Sequence, residues 1–454
     1  MKALPTFLLV SLLSSLVQAQ AQLPDGTAIS LVTDAAASTS RVSITDPGNH
    51  AWVLQASPNL VNWTDVEPLK VHNGHLTRQL AHAPSTMRLF YRTSYSAAQQ
   101  SALTSTTATA LLFPATPHDY TPTLPGSFLV NPIAPQDNMP VGNITTDAGA
   151  KLGRVLFYDK RLSINFTISC ASCHQPEHGF SDPRQFSVGF AGGLTGRNSM
   201  GLTNARWYQR RSFFWDERAA TLEAQVLLPI QNEVEMGMTL PALEARLNAE
   251  PYYTDLFNQT FGTTTITSNL IARALAQFVR SIISTQSKYD LGVASNFTNF
   301  TVEENQGRAI YNNPAQGNCA ACHGTDNFVP GPGPPFNNGL ENPYVDKGVG
   351  EVSGRAQDEG LFKVPSLRNI ELTAPYMHDG RFATLEQVVE FYNSGVVAHP
   401  NLSGPMRAGG PNGPPRRLNL TTAQKAALVA FMKTLTDTSV TTDAKFSDPF
   451  NYGD

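Results

Sequence analysis

Cysteine is scarce in this chain. Four occur in 454 residues, and two short motifs use all of them, so none remains for a disulfide framework. Excess charge of either sign is also missing: 32 basic residues face 36 acidic ones, for a net charge of −4. That balance gives no electrostatic case for a nucleic-acid or anionic-membrane partner. Long apolar runs are missing as well. Beyond the first twenty or so residues, no stretch approaches the roughly 18 apolar residues needed to span a bilayer, so no membrane span is expected.

What the chain does have is one pentapeptide pattern in two copies. Cys170-Ala171-Ser172-Cys173-His174 and Cys319-Ala320-Ala321-Cys322-His323 both read Cys-x-x-Cys-His. In that pattern two thiols form thioethers to a porphyrin, and the adjacent histidine ligates its iron. A lone Cys-x-x-Cys also suits a redox disulfide or half of a zinc site. A zinc site drawing on both motifs is the competing reading. The histidine directly after each second cysteine favours two covalently bound haem c groups.

The start of the chain reads as an export signal. Lys2 supplies a positive n-region, residues 7–17 an apolar core, and Val17-Gln18-Ala19 or Ala19-Gln20-Ala21 a small-residue cleavage site. Residues 1–21 are expected to be a signal peptide, and the mature chain to be periplasmic or otherwise exported. Covalent haem attachment also takes place outside the cytoplasm, so the two features agree.

Residues 22–95 read as a small β-sandwich module, with strands near 51–55 and 88–92 and turns at Ser57-Pro58-Asn59 and His72-Asn73-Gly74. A spacer or docking role is expected for it. Residues 96–135, rich in Ser, Thr, Ala and Pro, read as a linker. The remainder is expected to be mainly α: two cytochrome c-like haem domains in tandem, at 136–295 and 296–440, then a tail at 441–454. An internal repeat supports the pairing. Gly153-Arg154-Val155-Leu156-Phe157 precedes the first haem motif, and Gly307-Arg308-Ala309-Ile310-Tyr311 precedes the second. Each half closes with an amphipathic helix, one burying Leu270, Ile271, Ala274, Leu275, Phe278 and Ile282, the other Leu428, Phe431, Met432 and Leu435. Thr301 and Glu304 have capping-box spacing at the start of the second half.

Five further segments complete the pattern: Gly196-Arg197-Asn198-Ser199, Phe214-Trp215-Asp216-Glu217-Arg218-Ala219, Pro229-Ile230-Gln231-Asn232-Glu233-Val234-Glu235-Met236-Gly237, Val364-Pro365-Ser366-Leu367-Arg368-Asn369 and Ala374-Pro375-Tyr376-Met377-His378-Asp379-Gly380. Together with the haem motifs, they resemble the bacterial dihaem cytochrome c peroxidases, a family that includes the methylamine-utilisation protein MauG. The resemblance covers about 140–437 and leaves the β module and linker outside. It implies an oxidoreductase whose N-terminal haem reacts with hydrogen peroxide while the C-terminal haem relays electrons. It implies that Glu235 lines the N-terminal distal pocket, where a carboxyl can move a proton between the two oxygens. Gln225 is implied as a second distal-pocket residue, and Trp215 as the residue between the haems. A calcium ion is implied too, held by the Asn198 side chain and the backbone carbonyls of Thr373 and Pro375, an oxygen-only set that suits calcium. On residue type alone, Glu235 reads as a solvated surface residue and Trp215 as core packing.

Two positions depart from ordinary members. Where those place a histidine that caps the N-terminal haem, the matching residue is Phe190, which cannot ligate iron. No histidine lies between His178 and His323, and His178 is too near His174 to serve. An open N-terminal haem is expected. Where ordinary members place a methionine as sixth ligand of the C-terminal haem, the matching residue is Tyr392, as in the MauG branch. Tyrosinate is a hard anionic donor that lowers an iron potential, whereas a thioether raises it. Met406, His399 and Met377 are the rival ligands.

The expected activity is peroxide reduction, with electrons from a small cytochrome c or cupredoxin. One alternative is a MauG-like oxidase acting on a protein or small-molecule substrate. Another is a non-catalytic dihaem electron carrier, and a weaker one is a surface-anchored binding protein with a vestigial peroxidase. The resemblance also leaves room for a homodimer.

Overall fold

The structure, a computed structural model, describes residues 111–450 except 209–211 and 332, and, before residue 111, eight strands and Asn62. Those strands are β1 (Thr6–Leu8), β2 (Ala19–Gln22), β3 (Ala28–Asp34), β4 (Thr39–Thr45), β5 (Ala51–Ser57), β6 (Thr64–Lys70), β7 (His75–Ala81) and β8 (Phe90–Tyr95). They form two antiparallel four-stranded sheets, ordered β1-β8-β5-β6 and β2-β3-β4-β7. The strands expected near 51–55 and 88–92 are β5 and β8, neighbours in the first sheet. β1 and most of β2 fall in the expected leader. Each lies at a sheet edge, so losing residues 1–21 leaves three paired strands in either sheet.

From residue 111 onward the described chain is mainly helical, with isolated bridges in place of strands. Its main helices are α1 (Asp147–Tyr158), α2 (Leu222–Gln231), α3 (Leu240–Asn248), α4 (Pro251–Phe261), α5 (Ser268–Ser281), α6 (Val302–Asn312), α7 (Leu385–Glu390) and α8 (Thr422–Lys433). Threonine starts most of them. Thr146, Thr267, Thr301 and Thr421 cap α1, α5, α6 and α8, each hydroxyl accepting from a backbone N–H three residues on. The Thr301–Glu304 capping box forms as its spacing requires.

The repeat in the sequence is a repeat in packing. α1 crosses α5 in the first half, and α6 crosses α8 in the second. A glycine makes each crossing possible. A Cβ on Gly153 would lie 2.0 Å from the Ala274 carbonyl oxygen, and one on Gly307 would lie 1.9 Å from that of Ala427. Phe278 and Phe431, four residues further along the partner helices, close over the same glycines. The faces expected to be buried are buried: Ile271, Ala274, Leu275, Phe278 and Ile282 in one core, Leu428, Phe431, Met432 and Leu435 in the other.

Two segments expected to be loose are seated. The proposed linker is described from residue 111, and there it is anchored by aromatic and aliphatic side chains. Tyr120 and Phe128 are each 2% exposed and Ile133 1%. Phe128 packs edge-on against Trp207 with ring centroids 4.7 Å apart. The expected tail also returns to the first half. Phe446 and Phe450 join its core, the Tyr158 hydroxyl donates to the Phe446 carbonyl, and Arg154 donates to that of Ser447. Burying each phenylalanine contributes on the order of 2 kcal/mol, which a polar composition in the surrounding residues does not reveal.

Candidate functional site

The two haem motifs sit in matching surroundings. Residues Cys170–Ser172 form a single tight turn, and Ala320–His323 a single helical turn. His174 Nδ1 lies 2.9 Å from the Phe180 carbonyl oxygen, and His323 Nδ1 lies 3.0 Å from that of Phe328. Donation from Nδ1 fixes the tautomer and leaves Nε2 with a lone pair for a metal. Burial holds both imidazoles below their usual range, that of His323 at about 4, and so favours the neutral ring that a metal needs. Cys170, Cys173, Cys319 and Cys322 form no disulfide with one another. Two thiols and one preset imidazole per motif are the donor set that haem c requires, and the residues fit the group.

Beside the first motif, two distant stretches of chain are bound together. The Phe190 N–H donates to the Glu235 carbonyl at 3.0 Å. Asn165 Nδ2 donates to the Phe190 carbonyl at 2.8 Å. Two glycines allow this approach. A Cβ on Gly189 would lie 1.7 Å from the Val234 carbonyl oxygen, and Gly237, at φ +63°, lies against the Phe190 ring. The Glu235 side chain is half-buried, and its charge reaches both Cys170 and Cys173. Burial pushes its carboxyl above the ordinary range, while Arg218 draws it part of the way back. Gln225 lies on α2 beside the buried Val226 and is half-buried itself.

The second motif opens onto a deep cavity. Cys319, Cys322 and His323 line it together with Trp215, Met377, Tyr392 and Met406. Tyr392 stands on a wide turn, Phe391–Gly395, that continues α7. Its hydroxyl lies 3.4 Å from Asn338 Nδ2, which is also 3.6 Å from the Met377 sulfur. Burial raises the Tyr392 phenol, and both haem cysteines lie within its electrostatic reach. His399 does not line this cavity. Its Nδ1 accepts from the Asn401 N–H at 3.0 Å and meets Asn337 Nδ2 at 3.2 Å. The structure therefore gathers Tyr392, Met377 and Met406 and leaves His399 outside.

The residues expected to hold calcium converge on the same cavity: Asn198, Thr373 and Pro375 all line it. Asn198 is also a structural knot. Its N–H donates to the His378 carbonyl at 2.7 Å, and its carbonyl accepts from Trp215 Nε1 at 2.8 Å. Trp215 meets the His378 ring edge-on at 6.5 Å, and His378 stacks on Phe362 at 3.9 Å. Arg197 ties the halves together, donating to Asp216 in the first and to Asp346 in the second.

Several of these residues are not readable from sequence. Nothing local marks the Phe180 and Phe328 carbonyls as the acceptors that orient the histidines. Asn338 and the His378–Phe362 stack come together only through the fold. The one available signal was parallel spacing, since a phenylalanine follows each ligand histidine by five or six residues.

Comparison with known proteins gives the same picture. A family model described as Di-haem cytochrome c peroxidase matches residues 147–296. The methylamine utilization protein MauG of Methylophilus methylotrophus is 32% identical over 297 residues, covering 65% of this chain and 84% of that protein. The cytochrome c551 peroxidase of Nitrosomonas europaea is 36% identical over 245 residues, covering 53% of this chain and 71% of that one. A crystal structure of a MauG-like protein associated with microbial copper homeostasis superposes with a TM-score of 0.62 at 34% identity, covering 72% of this chain and 98% of the other. The family so described is one of di-haem oxidoreductases, and no helix among the described residues here is long and apolar enough to cross a membrane. On the fold, the two donor sets and these likenesses, the chain belongs to the di-haem cytochrome c peroxidase family.

Proposed function

We propose that this protein is an exported peroxidase that reduces hydrogen peroxide at an open N-terminal site and draws electrons through its C-terminal half. The observation that carries the reading is the pairing of Phe190 with Glu235 beside Cys170 and Cys173. When bound, the N-terminal haem supplies the iron at which the O–O bond breaks, and the C-terminal haem supplies a second electron store. His174 and His323 would hold the two groups, and the four cysteines would fix them covalently.

The chain's own part is proton handling and positioning. A peroxide proton must move from one oxygen to the other before water can leave. Glu235 accepts it and returns it, and its raised pKa brings the carboxyl closer to neutral pH, where both steps are accessible. Gln225 orients the oxygens from α2. Phe190 offers no nitrogen to the iron, so peroxide competes with no protein ligand. Trp215, fixed by its bond to the Asn198 carbonyl, relays charge between the halves. Asn198, Thr373 and Pro375 would hold calcium there and stiffen that relay. In the C-terminal half, Tyr392 would help His323 hold the second haem and would supply an anionic oxygen donor.

A specific observation favours a second reading. Tyr392 lines the C-terminal cavity, and an anionic ligand stabilises oxidised iron. That property suits a MauG-like oxidase acting on a protein or small molecule better than a scavenger. Steady-state turnover decides between the two. Peroxide-dependent oxidation of a small cytochrome or cupredoxin is expected for the peroxidase, and failure with every such donor favours the oxidase. An oxidised protein with both haems fully low-spin in its EPR spectrum defeats the open site and leaves a simple carrier.

A further inference from the structure

One stretch of the C-terminal half is unusual in its charge. Residues 391–436 hold three arginines and two lysines but no aspartate or glutamate, in a chain with 36 acidic residues. Both lysines are paired from outside the stretch, Lys425 with Glu390 and Lys433 with Glu371. The arginines are not. Arg407, Arg416 and Arg417 stand on the two arms of a hairpin, in which Arg407 faces Pro415 and the Arg416 N–H donates to the Met406 carbonyl at 2.8 Å. Among the described residues, their side chains donate only to backbone carbonyls, such as Leu402 for Arg407 at 2.8 Å, Gln316 for Arg416 at 3.3 Å and Val396 for Arg417 at 2.8 Å. A carbonyl orients a guanidinium but leaves its unit charge in place. The acids of the neighbouring segment already hold other cations, Asp358 with Arg355 and Glu359 with Lys347. At the foot of the hairpin, Met406 and Arg416 line the cavity of His323 and Tyr392, whereas Arg407 and Arg417 do not. Small apolar groups lie exposed beside the charge, among them Val397, Ala408 and Pro411.

We propose that this hairpin face docks the electron donor, and that the donor is a small redox protein with a carboxylate-rich face. The proposal rests on the reading that electrons enter through this half. Arg407 and Arg417, with no carboxylate against them, attract a negative face and repel a positive one, although the chain as a whole has a net charge of −4. The attraction steers the encounter and sets the orientation, and the small apolar groups make the contact. Met406, on the same hairpin, forms part of the wall behind which His323 stands, so a partner seated here lies against the second cavity. Electron-transfer complexes are small and short-lived, commonly burying less than about 1,200 Å², and one hairpin with its flanking loop supplies a face of that kind. The same face disfavours a lysine-rich cytochrome.

The test uses full-length protein with its haems attached, and an isotope-labelled acidic cupredoxin, plastocyanin in its copper(I) form, as the probe. Binding is followed by NMR titration at low salt. The expected result is line broadening confined to the acidic face of plastocyanin, lost as salt is raised. Arg407→Glu and Arg417→Glu should each weaken binding roughly three- to tenfold, and Arg417→Lys should bind as wild type does. A lysine-rich cytochrome c should not displace the probe. Arg407 braces the hairpin, so if Arg407→Glu does not accumulate with both haems, Arg417→Glu carries the comparison alone. No binding by wild type at low salt overturns the proposal, as does unaltered affinity in Arg417→Glu or tighter binding of the lysine-rich cytochrome. Failure of the peroxidase reading shows differently: wild type then binds plastocyanin but does not react with peroxide in stopped flow, which removes the activity and leaves the docking face standing.

Discussion

Gly153 and Gly307 hold the same place in the two halves, and so do Phe180 and Phe328, whose carbonyls orient His174 and His323. Away from those positions the halves part. Beside the first motif the chain brings Phe190, which cannot bind a metal, and a carboxyl that burial has made more basic. Around the second it brings Tyr392, Met377 and Met406, three side chains that can. One scaffold is thus used twice, with the Cys-x-x-Cys-His motif left constant and the side chains around it changed. The repeated elements are those that form a core, and a core tolerates few changes in volume. The elements that differ are loops, which tolerate many.

The largest expected effect comes from removing the proton carrier in the first half. Glu235→Gln should lower peroxide turnover about 10²- to 10⁴-fold, the usual contribution of general acid–base catalysis, with both haem spectra retained. Unchanged turnover would remove the functional distinction between the halves. Restoring a ligand is the next test. Phe190→His should convert the oxidised N-terminal haem to low spin. If the new ligand closes nine sites in ten, the reaction with peroxide slows on the order of tenfold. EPR and stopped-flow absorbance measure the two outcomes.

The shared scaffold makes the opposite prediction. Gly153→Ala and Gly307→Ala each push a methyl group into a carbonyl oxygen about 2 Å away. Each should cost roughly 1–3 kcal/mol, as overpacking does, and thermal unfolding should show similar losses for both. A strongly unequal pair would mean that the two crossings are not equivalent. The pH profile gives a smaller effect. Glu235 must be ionised to accept a proton, and its pKa is raised. The acid limb of kcat/KM should therefore lie above the ordinary carboxylate range, with activity falling as pH drops through it, and Glu235→Gln should abolish that limb. Smallest of all, a calcium chelator should perturb the spectra modestly and reversibly if Asn198, Thr373 and Pro375 hold the ion.

The legible parts of this protein were those encoded over a few adjacent residues. A five-residue motif is a complete local signal for haem attachment, and a threonine followed by a 3.6-residue apolar rhythm specifies the capped helices that the structure shows. The seat of Lys363 could not be read this way: the side chain is buried, and its Nζ meets the Ser212 carbonyl and the Tyr208 ring, some 150 positions away. The contact between Phe190 and Glu235 was equally hidden, since Gly189 and Gly237 create it only after the chain has folded back. The segment from 111 to 135 shows a different failure. Its average composition is that of a spacer, and averaging conceals Tyr120, Phe128 and Ile133, the three side chains that fasten it down.

Phe446 and Phe450 complete the core that α1 begins, with Tyr158 and Phe446 separated by 288 positions. Such a closure is costly in chain entropy and late in time. A ribosome delivers α1 long before it delivers the residues that seal it, so a chain cut short anywhere before residue 440 keeps the first core unfinished. Of the two cores, the first to begin is the last to have all its residues.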